Sequence, residues 1–97
     1  MNESDKILKT LKALKKNISD KYKVNRIGLF GSYIRGEQQI DSDIDILTHF
    51  KDDADFFDLV GLGQFLEEKL HQKVDIVSED ALRPELKDKI LKEAVYI

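Results

Sequence analysis

The chain lacks cysteine and tryptophan entirely, and it has one proline and one methionine among its 97 residues. Without cysteine it can form neither disulfides nor zinc–thiolate sites, and a thiol nucleophile is excluded. No apolar run approaches the roughly 18 residues of a membrane span, and the polar, lysine-rich start lacks the apolar segment of a secretory signal. We therefore expect a soluble, cytoplasmic protein.

A strong excess of charge of one sign is also missing. The 16 basic and 19 acidic residues give a net charge of −3. That balance argues against a chain whose main task is to grip nucleic acid, although a lysine-rich first helix leaves a local basic face open. The length suits one domain with a single core, covering residues 1–97.

The hydrophobic pattern predicts an α/β protein with helices and strands in the order α-β-α-β-α-β-α. We expect a small mixed sheet of about three strands flanked by helices. Ser4 or Asp5 is the expected N-cap of the first helix, and the apolar residues 95–97 are expected to pack against the core. The predicted elements are a helix over 4–18, a strand Val24–Phe30, a short helix from Ser32, a strand over 43–47, a helix Phe56–Leu70, a strand over 74–77 and a helix from Pro84.

A glycine–serine pair ends the first predicted strand. Gly31 can adopt positive φ and lets a ligand approach the backbone, because it has no Cβ. Ser32 adds a hydroxyl. A helix that begins there would point backbone N–H groups outward, where they could donate hydrogen bonds to phosphate oxygens. The pair alone is weak evidence for a nucleotide site, because Gly-Ser also marks ordinary turns.

Two carboxylates alternate with isoleucine on the second predicted strand. Asp43 and Asp45 project to the same face, where their like charges repel unless a cation lies between them. Magnesium suits such hard oxygen ligands and retains substrate phosphates in its shell. The alternatives are an acidic edge strand in water and a calcium loop. The calcium loop fails because Ile46 and Asp52 stand where it needs glycine and glutamate.

Asp75 is a third candidate carboxylate on the last predicted strand. Its neighbours Val74 and Ile76 point to the opposite face, so their burial would leave Asp75 on the open side. If this strand lies next to the second, Asp75 could share a metal site or take a proton from an attacking hydroxyl. A solvent-facing aspartate without a function is the alternative.

Taken together, these residues resemble a known family. Gly31-Ser32, ten further residues and then Asp-x-Asp at 43–45 match the GS-x10-D-x-D signature of the DNA polymerase β-like nucleotidyltransferase superfamily. The longer string FGSYIRGE…SDIDIL is similar to its smallest branch, the minimal nucleotidyltransferases or MNT proteins. The resemblance covers nearly the whole chain, including the later VDIV segment, and implies the nucleotidyltransferase fold.

The resemblance also implies roles for the matching residues around the turn. Gly31 and Ser32 would hold the nucleotide phosphates. Arg35 matches an arginine that recurs after the Gly-Ser pair in this family, and it would lie against phosphate or against the acidic cluster. A surface ion pair with Glu37 is the structural alternative for Arg35.

For the acidic residues, the resemblance implies a catalytic metal centre. Asp43 and Asp45 would ligate Mg²⁺, and Asp75 would be the third acidic residue, either at the metal or as the base for the acceptor hydroxyl. All three acidic positions are occupied by aspartate in this chain. Nothing in the motif therefore indicates an inactivated copy.

MNT proteins are commonly paired with an α-helical HEPN protein, an RNase toxin whose tyrosine they modify with AMP from ATP. The resemblance implies a Mg²⁺-dependent protein adenylyltransferase with ATP as donor, acting as the antitoxin of a HEPN partner in a hetero-oligomer. Two alternatives stay open. The chain could block its partner by occlusion without catalysis. Alternatively, it could modify a nucleic acid or a small molecule, but its net charge and small size argue against this second alternative.

Overall fold

A four-stranded mixed sheet lies at the centre of the protein in the order β3-β2-β1-β4. The structure is a computed structural model that describes residues 2–97. Strand β1 pairs antiparallel with β2 and β4, whereas β2 and β3 are parallel. The elements are α1 (Glu3–Tyr22), β1 (Val24–Phe30), α2 (Ser32–Arg35), β2 (Ile44–Phe50), α3 (Phe56–Leu70), β3 (Val74–Ser78), a 3₁₀ turn (Glu79–Ala81), α4 (Pro84–Glu93) and β4 (Val95–Tyr96).

The predicted α/β class and mixed sheet are confirmed, with one strand more than expected. The sequence predicted that residues 95–97 pack, but not that Val95–Tyr96 forms a strand. Strand β2 also continues to Phe50, beyond the predicted end at residue 47, because β1 pairs with it along this whole length. Among the described residues, no helix is both long and apolar enough to cross a membrane.

Helix α1 is longer than predicted and has a different cap. The side chain of Asn2 accepts a hydrogen bond from the Asp5 backbone N–H at 2.8 Å, so the prediction of Ser4 or Asp5 as N-cap was wrong. At the other end, Lys23 adopts a left-handed conformation with φ 58°. Its N–H bonds to the carbonyl of Ser19, which ends the helix and turns the chain into β1.

Helix α3 has the predicted bounds and is capped by a reciprocal pair of aspartates. Asp55 accepts from the Asp58 N–H, and the Asp58 side chain accepts from the Asp55 N–H. The helix continues through Gly61, where an added Cβ would lie 3.0 Å from Cε1 of Tyr22. The glycine therefore serves the close approach of α1 and α3, and it does not break the helix.

The core lies between the sheet and the two long helices, which cover one of its faces. On β2, Ile44 and Ile46 point into this core and are fully buried, so alternation directs Asp45 to the other face. Burial of such side chains stabilises the fold by roughly 1.5–3 kcal/mol each. The fully buried core residues of the other elements include Leu11, Ile18, Leu29, Leu62 and Leu66.

Strand β4 lies against β1 at a glycine. An added Cβ on Gly28 would stand 2.7 Å from the carbonyl oxygen of Val95, closer than real Cβ contacts come. Beyond this point the Ile97 N–H donates to the Ile27 carbonyl at 3.1 Å. This pairing brings the end of α4 beside the end of β1, where the Gly-Ser turn lies.

Candidate active site

The Gly-Ser pair forms a tight turn between β1 and the four-residue helix α2. Gly31 has φ 79°, a left-handed value that favours glycine. Its carbonyl accepts from the N–H groups of Ile34 and Arg35, both at 3.1 Å, and Gly36, also at positive φ, ends the helix. The first residue of α2 is Ser32, as predicted.

The turn is in direct contact with one of the predicted carboxylates. A Cβ built on Gly31 would overlap the carboxylate of Asp45 and would lie 2.9 Å from its Cγ. Only glycine leaves room for Asp45 at this position. The structure therefore places the candidate phosphate turn and the candidate metal ligand side by side.

Asp75 lies next to Asp45 across the parallel pair of strands. The two residues are register partners on β2 and β3, and adjacent strands are about 4.8 Å apart. Side chains at paired positions of a parallel ladder project to the same face of the sheet. Asp43 lies directly before β2, and not on it as the sequence predicted, and its charge acts on Asp45. The structure thus brings together the three acidic residues that the sequence singled out.

The electrostatics of Asp45 reflect this crowding. Burial raises the pKa of the Asp45 carboxyl, and the charges of Asp75 and Asp43 raise it further. Arg35 opposes the increase, whereas Glu93 adds to it. Like charges that approach each other without a compensating cation make ionisation unfavourable. A divalent cation is the kind of ligand that would reverse this effect.

The donor set fits magnesium in its chemistry, but it does not form a closed cage. Within residues 2–97, no three histidine, aspartate or glutamate side chains are arranged so that they could hold a metal ion as they stand. Magnesium is usually bound through one or two carboxylates together with waters and substrate phosphates, and rarely by an all-protein cage. The open arrangement of Asp43, Asp45 and Asp75 is of this kind.

Glu93, at the end of α4, is a site residue that the sequence analysis missed. Its Oε2 accepts from the Gly31 N–H at 3.0 Å, and its Oε1 accepts from Arg35 Nη1 at 2.6 Å. Burial acts to raise the pKa of Glu93, but the hydrogen bonds from Arg35 and Gly31 outweigh it and hold that pKa below its usual value. No local spacing could have found this residue, because 62 residues separate it from Gly31.

Arg35 forms the predicted alternative ion pair and a second one that the sequence did not predict. Its Nε donates to Glu37 at 3.3 Å, which is the ion pair that the sequence left as an alternative, and its Nη1 binds Glu93. The hydrogen bond to Glu93 is the largest cause that raises the pKa of Arg35. Arg35 therefore lies against acidic side chains near Asp45, and its contact with phosphate stays a prediction.

Comparison with known protein families assigns the chain to a family. The model of a family described as "Nucleotidyltransferase domain" matches residues 11–97. The chain is 37% identical over 93 residues to the protein adenylyltransferase MntA of Thermococcus cleftensis, covering 96% of this chain and 94% of that protein. The matched range contains the Gly-Ser turn, all three aspartates and Glu93.

Two solved structures extend the similarity to three dimensions. A protein assigned as a minimal nucleotidyltransferase superposes with a TM-score of 0.77 at 36% identity, over 98% of this chain and 95% of the other. A toxin–antitoxin structure with AMP-PNP superposes with a TM-score of 0.70 at 32% identity, over 97% of this chain and 71% of the other. Both agree with the mixed sheet and its flanking helices.

Proposed function

This chain belongs to the nucleotidyltransferase family, and on that premise we propose that it is a Mg²⁺-dependent protein adenylyltransferase. It transfers AMP from ATP to a hydroxyl, preferably of a tyrosine, on a HEPN-family toxin, and thereby acts as the antitoxin. The similarity to a protein adenylyltransferase named MntA and to a toxin–antitoxin structure with AMP-PNP supports this proposal.

The single observation that carries the proposal is the pairing of Asp45 with Asp75 beside Gly31. A triphosphate needs an anion-binding turn, and the cation that accompanies it needs carboxylates within a few ångströms of that turn. Had the strand register placed Asp75 on the other face of the sheet, the site would lack its third acidic group. The observed register, with Asp75 beside Asp45, supports the proposal.

The proposed reaction is an in-line displacement at the α-phosphorus of ATP. The acceptor hydroxyl oxygen forms a bond to that phosphorus, the bond to the bridging oxygen of the β-phosphate breaks, and pyrophosphate leaves. Magnesium held by Asp43 and Asp45, with Asp75 beside them, would neutralise the charge on the phosphate oxygens. Asp75 is exposed to solvent, and it is our candidate base for the hydroxyl proton. Ser32 would orient the phosphates through its N–H and hydroxyl.

Incubation with α-labelled ATP, Mg²⁺ and the purified HEPN partner tests this function. We expect label on the partner with wild-type protein and none with Asp43→Asn, because the variant removes a proposed metal ligand and changes little of the fold. Asp52→Asn is the matched control, since Asp52 is an exposed acid beyond the other end of β2. Full labelling by Asp43→Asn would contradict the metal assignment.

Occlusion of the partner without catalysis is the second candidate, and one surface favours it. Phe56 and Phe57, at the start of α3, are 72% and 81% exposed. Adjacent exposed aromatic rings are typical of protein–protein contact surfaces. If occlusion alone neutralises the toxin, Asp43→Asn will still protect cells, whereas Phe57→Ser will not. The catalytic proposal predicts the reverse for Asp43→Asn.

A further inference from the structure

The carboxylate of Glu93 occupies the place where the proposed function needs a nucleotide phosphate. We propose that Glu93 is an internal anion, bound to the Gly-Ser turn, that a phosphate of the incoming nucleotide displaces. Glu93 would then set the affinity of the site for ATP. This inference rests on the proposed function, because it assumes that the turn binds phosphate.

The geometry of the contact is that of a bound oxyanion. The two oxygens of Glu93 accept from two donors that come from the two ends of α2, the Gly31 N–H at 3.0 Å and Arg35 Nη1 at 2.6 Å. A backbone N–H at a glycine turn and a guanidinium are the donors that proteins use for phosphate. One anion satisfies both donors, so a second anion cannot bind them in full at the same time.

The charges around the contact also favour exchange of one anion for another. Hydrogen bonds from Arg35 and Gly31 keep the pKa of Glu93 below its usual value, so this side chain is ionised at neutral pH. Its charge acts on Asp45 as well, which already faces Asp75 and Asp43. The phosphates of an incoming nucleotide are repelled by these four carboxylates, and displacement of the Glu93 carboxylate reduces that repulsion.

The position of Glu93 on its helix lowers the free-energy cost of moving its carboxylate away from the turn. It is the last residue of α4, where the helix dipole disfavours negative charge. Helix α4 has no buried residue, so a rotation of the Glu93 side chain does not open the core. The Glu93 side chain itself is 18% exposed. The contacts with Gly31 and Arg35 therefore hold this carboxylate in place, and those are the contacts that a phosphate would replace.

Binding of Mg–AMP-PNP to the full chain, measured by calorimetry, tests the inference. Glu93→Gln removes the charge and keeps the shape, and we expect it to bind about tenfold more tightly, equivalent to about 1.4 kcal/mol. Asp88→Asn, an exposed carboxylate on the same helix, is the matched control and should bind like wild type. Mg–tripolyphosphate should show the same gain, because the competition concerns phosphate and not the nucleoside.

Turnover distinguishes displacement from a purely structural role. If Glu93 competes with phosphate, Glu93→Gln lowers the KM for ATP by a larger factor than it changes kcat, since uniform binding affects KM alone. Glu93→Asp, which keeps the charge but is too short to bridge both donors, should lie between Gln and wild type. It also serves as the second variant if Glu93→Gln fails to fold.

The outcomes separate the inference from the function on which it rests. Weaker or unchanged AMP-PNP binding by Glu93→Gln, in a folded variant, overturns the inference, because Glu93 would then support the turn and not compete at it. In that case wild-type binding keeps the proposed function intact. Failure of wild type and of every Glu93 variant to bind AMP-PNP overturns both.

Discussion

Two carboxylates, those of Glu79 and Asp45, differ in how their negative charge is compensated. Glu79, in the 3₁₀ turn, is 4% exposed, yet it is fully partnered. It accepts two hydrogen bonds from Arg26, at 3.0 and 3.3 Å, and one from the Tyr96 hydroxyl at 3.0 Å. Burial acts to raise the pKa of Glu79, but these donors outweigh it and leave that pKa below its usual value.

Asp45 shows the reverse. It is only half-buried, but it faces Asp75 and Asp43, and its pKa is raised by burial and then by those charges. A compensated carboxylate ties elements together, here the 3₁₀ turn to β1 and β4. An uncompensated carboxylate destabilises the fold, and such groups are typical of sites that bind a cation or transfer a proton. Whether a carboxylate is compensated therefore distinguishes structural residues from candidate site residues better than its burial does.

The largest effect expected from this comparison is the loss of AMP transfer on substitution of Asp45. Asp45→Asn should reduce AMP transfer by more than about 100-fold, because even partners of metal ligands cost 10–100-fold when they are removed. The same change should leave the free energy of unfolding equal or higher, because it removes a repelled charge. Labelled transfer and urea unfolding measure the two quantities. A large loss of stability would place Asp45 in the same class as Glu79.

Glu79→Ala should have the opposite effect, a loss of stability with little change in AMP transfer. We expect a loss of about 2 kcal/mol in the free energy of unfolding, because the change removes the buried carboxylate that accepts hydrogen bonds from Arg26 and Tyr96. Transfer activity should persist below the unfolding transition, since Glu79 does not touch the candidate site. Urea unfolding gives the stability, and Glu85→Ala, an exposed acid of α4, is the control. Equal losses in both variants would contradict the structural role.

Magnesium should sharpen the comparison by stabilising only the site with uncompensated charge. At ten times its dissociation constant, a ligand of the folded state adds about 1.4 kcal/mol, or roughly 6–11 °C in melting temperature for a domain of this size. Wild type and Glu79→Gln should gain this shift, whereas Asp45→Asn should not. Thermal unfolding with Mg²⁺, and with Ca²⁺ in parallel, measures it. An equal shift in Asp45→Asn would place the ion elsewhere.

The smallest effect is on the pH dependence of stability. The lowered pKa of Glu79 means that its contribution is present above its ordinary value of 4.5 and is lost as the pH falls through the folded-state pKa. The raised pKa of Asp45 works the other way, because its ionisation destabilises the fold as the pH rises above 3.8.

Urea unfolding between about pH 3 and pH 6 therefore separates the two groups. Glu79→Gln should flatten the loss of stability on acidification, and Asp45→Asn should steepen it. Parallel curves for both variants would show that neither pKa differs between the folded and unfolded states.

Local signals were enough to predict much of the fold. The bounds of Val24–Phe30 and Phe56–Leu70 were predicted correctly. The first is a short apolar segment bounded by Gly31 and the second an apolar helical period after Asp55, so each signal lies within its own segment. The three aspartates could be brought together from alternation alone once β3 was placed beside β2. The sequence left that placement open, and the observed register of Asp45 with Asp75 provides it.

Features that depend on distant pairing could not be predicted. Strand β4 has two residues and no pattern of its own, and it exists because Gly28 lets it approach β1. Glu93 reaches Gly31 only because β4 brings α4 to that edge. The N-cap was missed for a different reason, since Asn2, Ser4 and Asp5 are all good caps and the choice among them depends on where the helix begins.

Gly28 also has a consequence at a distance. It contacts no predicted site residue, but β4 can stay close only while position 28 has no side chain. Glu93 stands two positions before Val95 in the chain. A methyl group at position 28 would push Val95 outward and loosen the Glu93 bridge, so the contacts at the Gly-Ser turn could be adjusted from the sheet interior while every candidate site residue remains wild type.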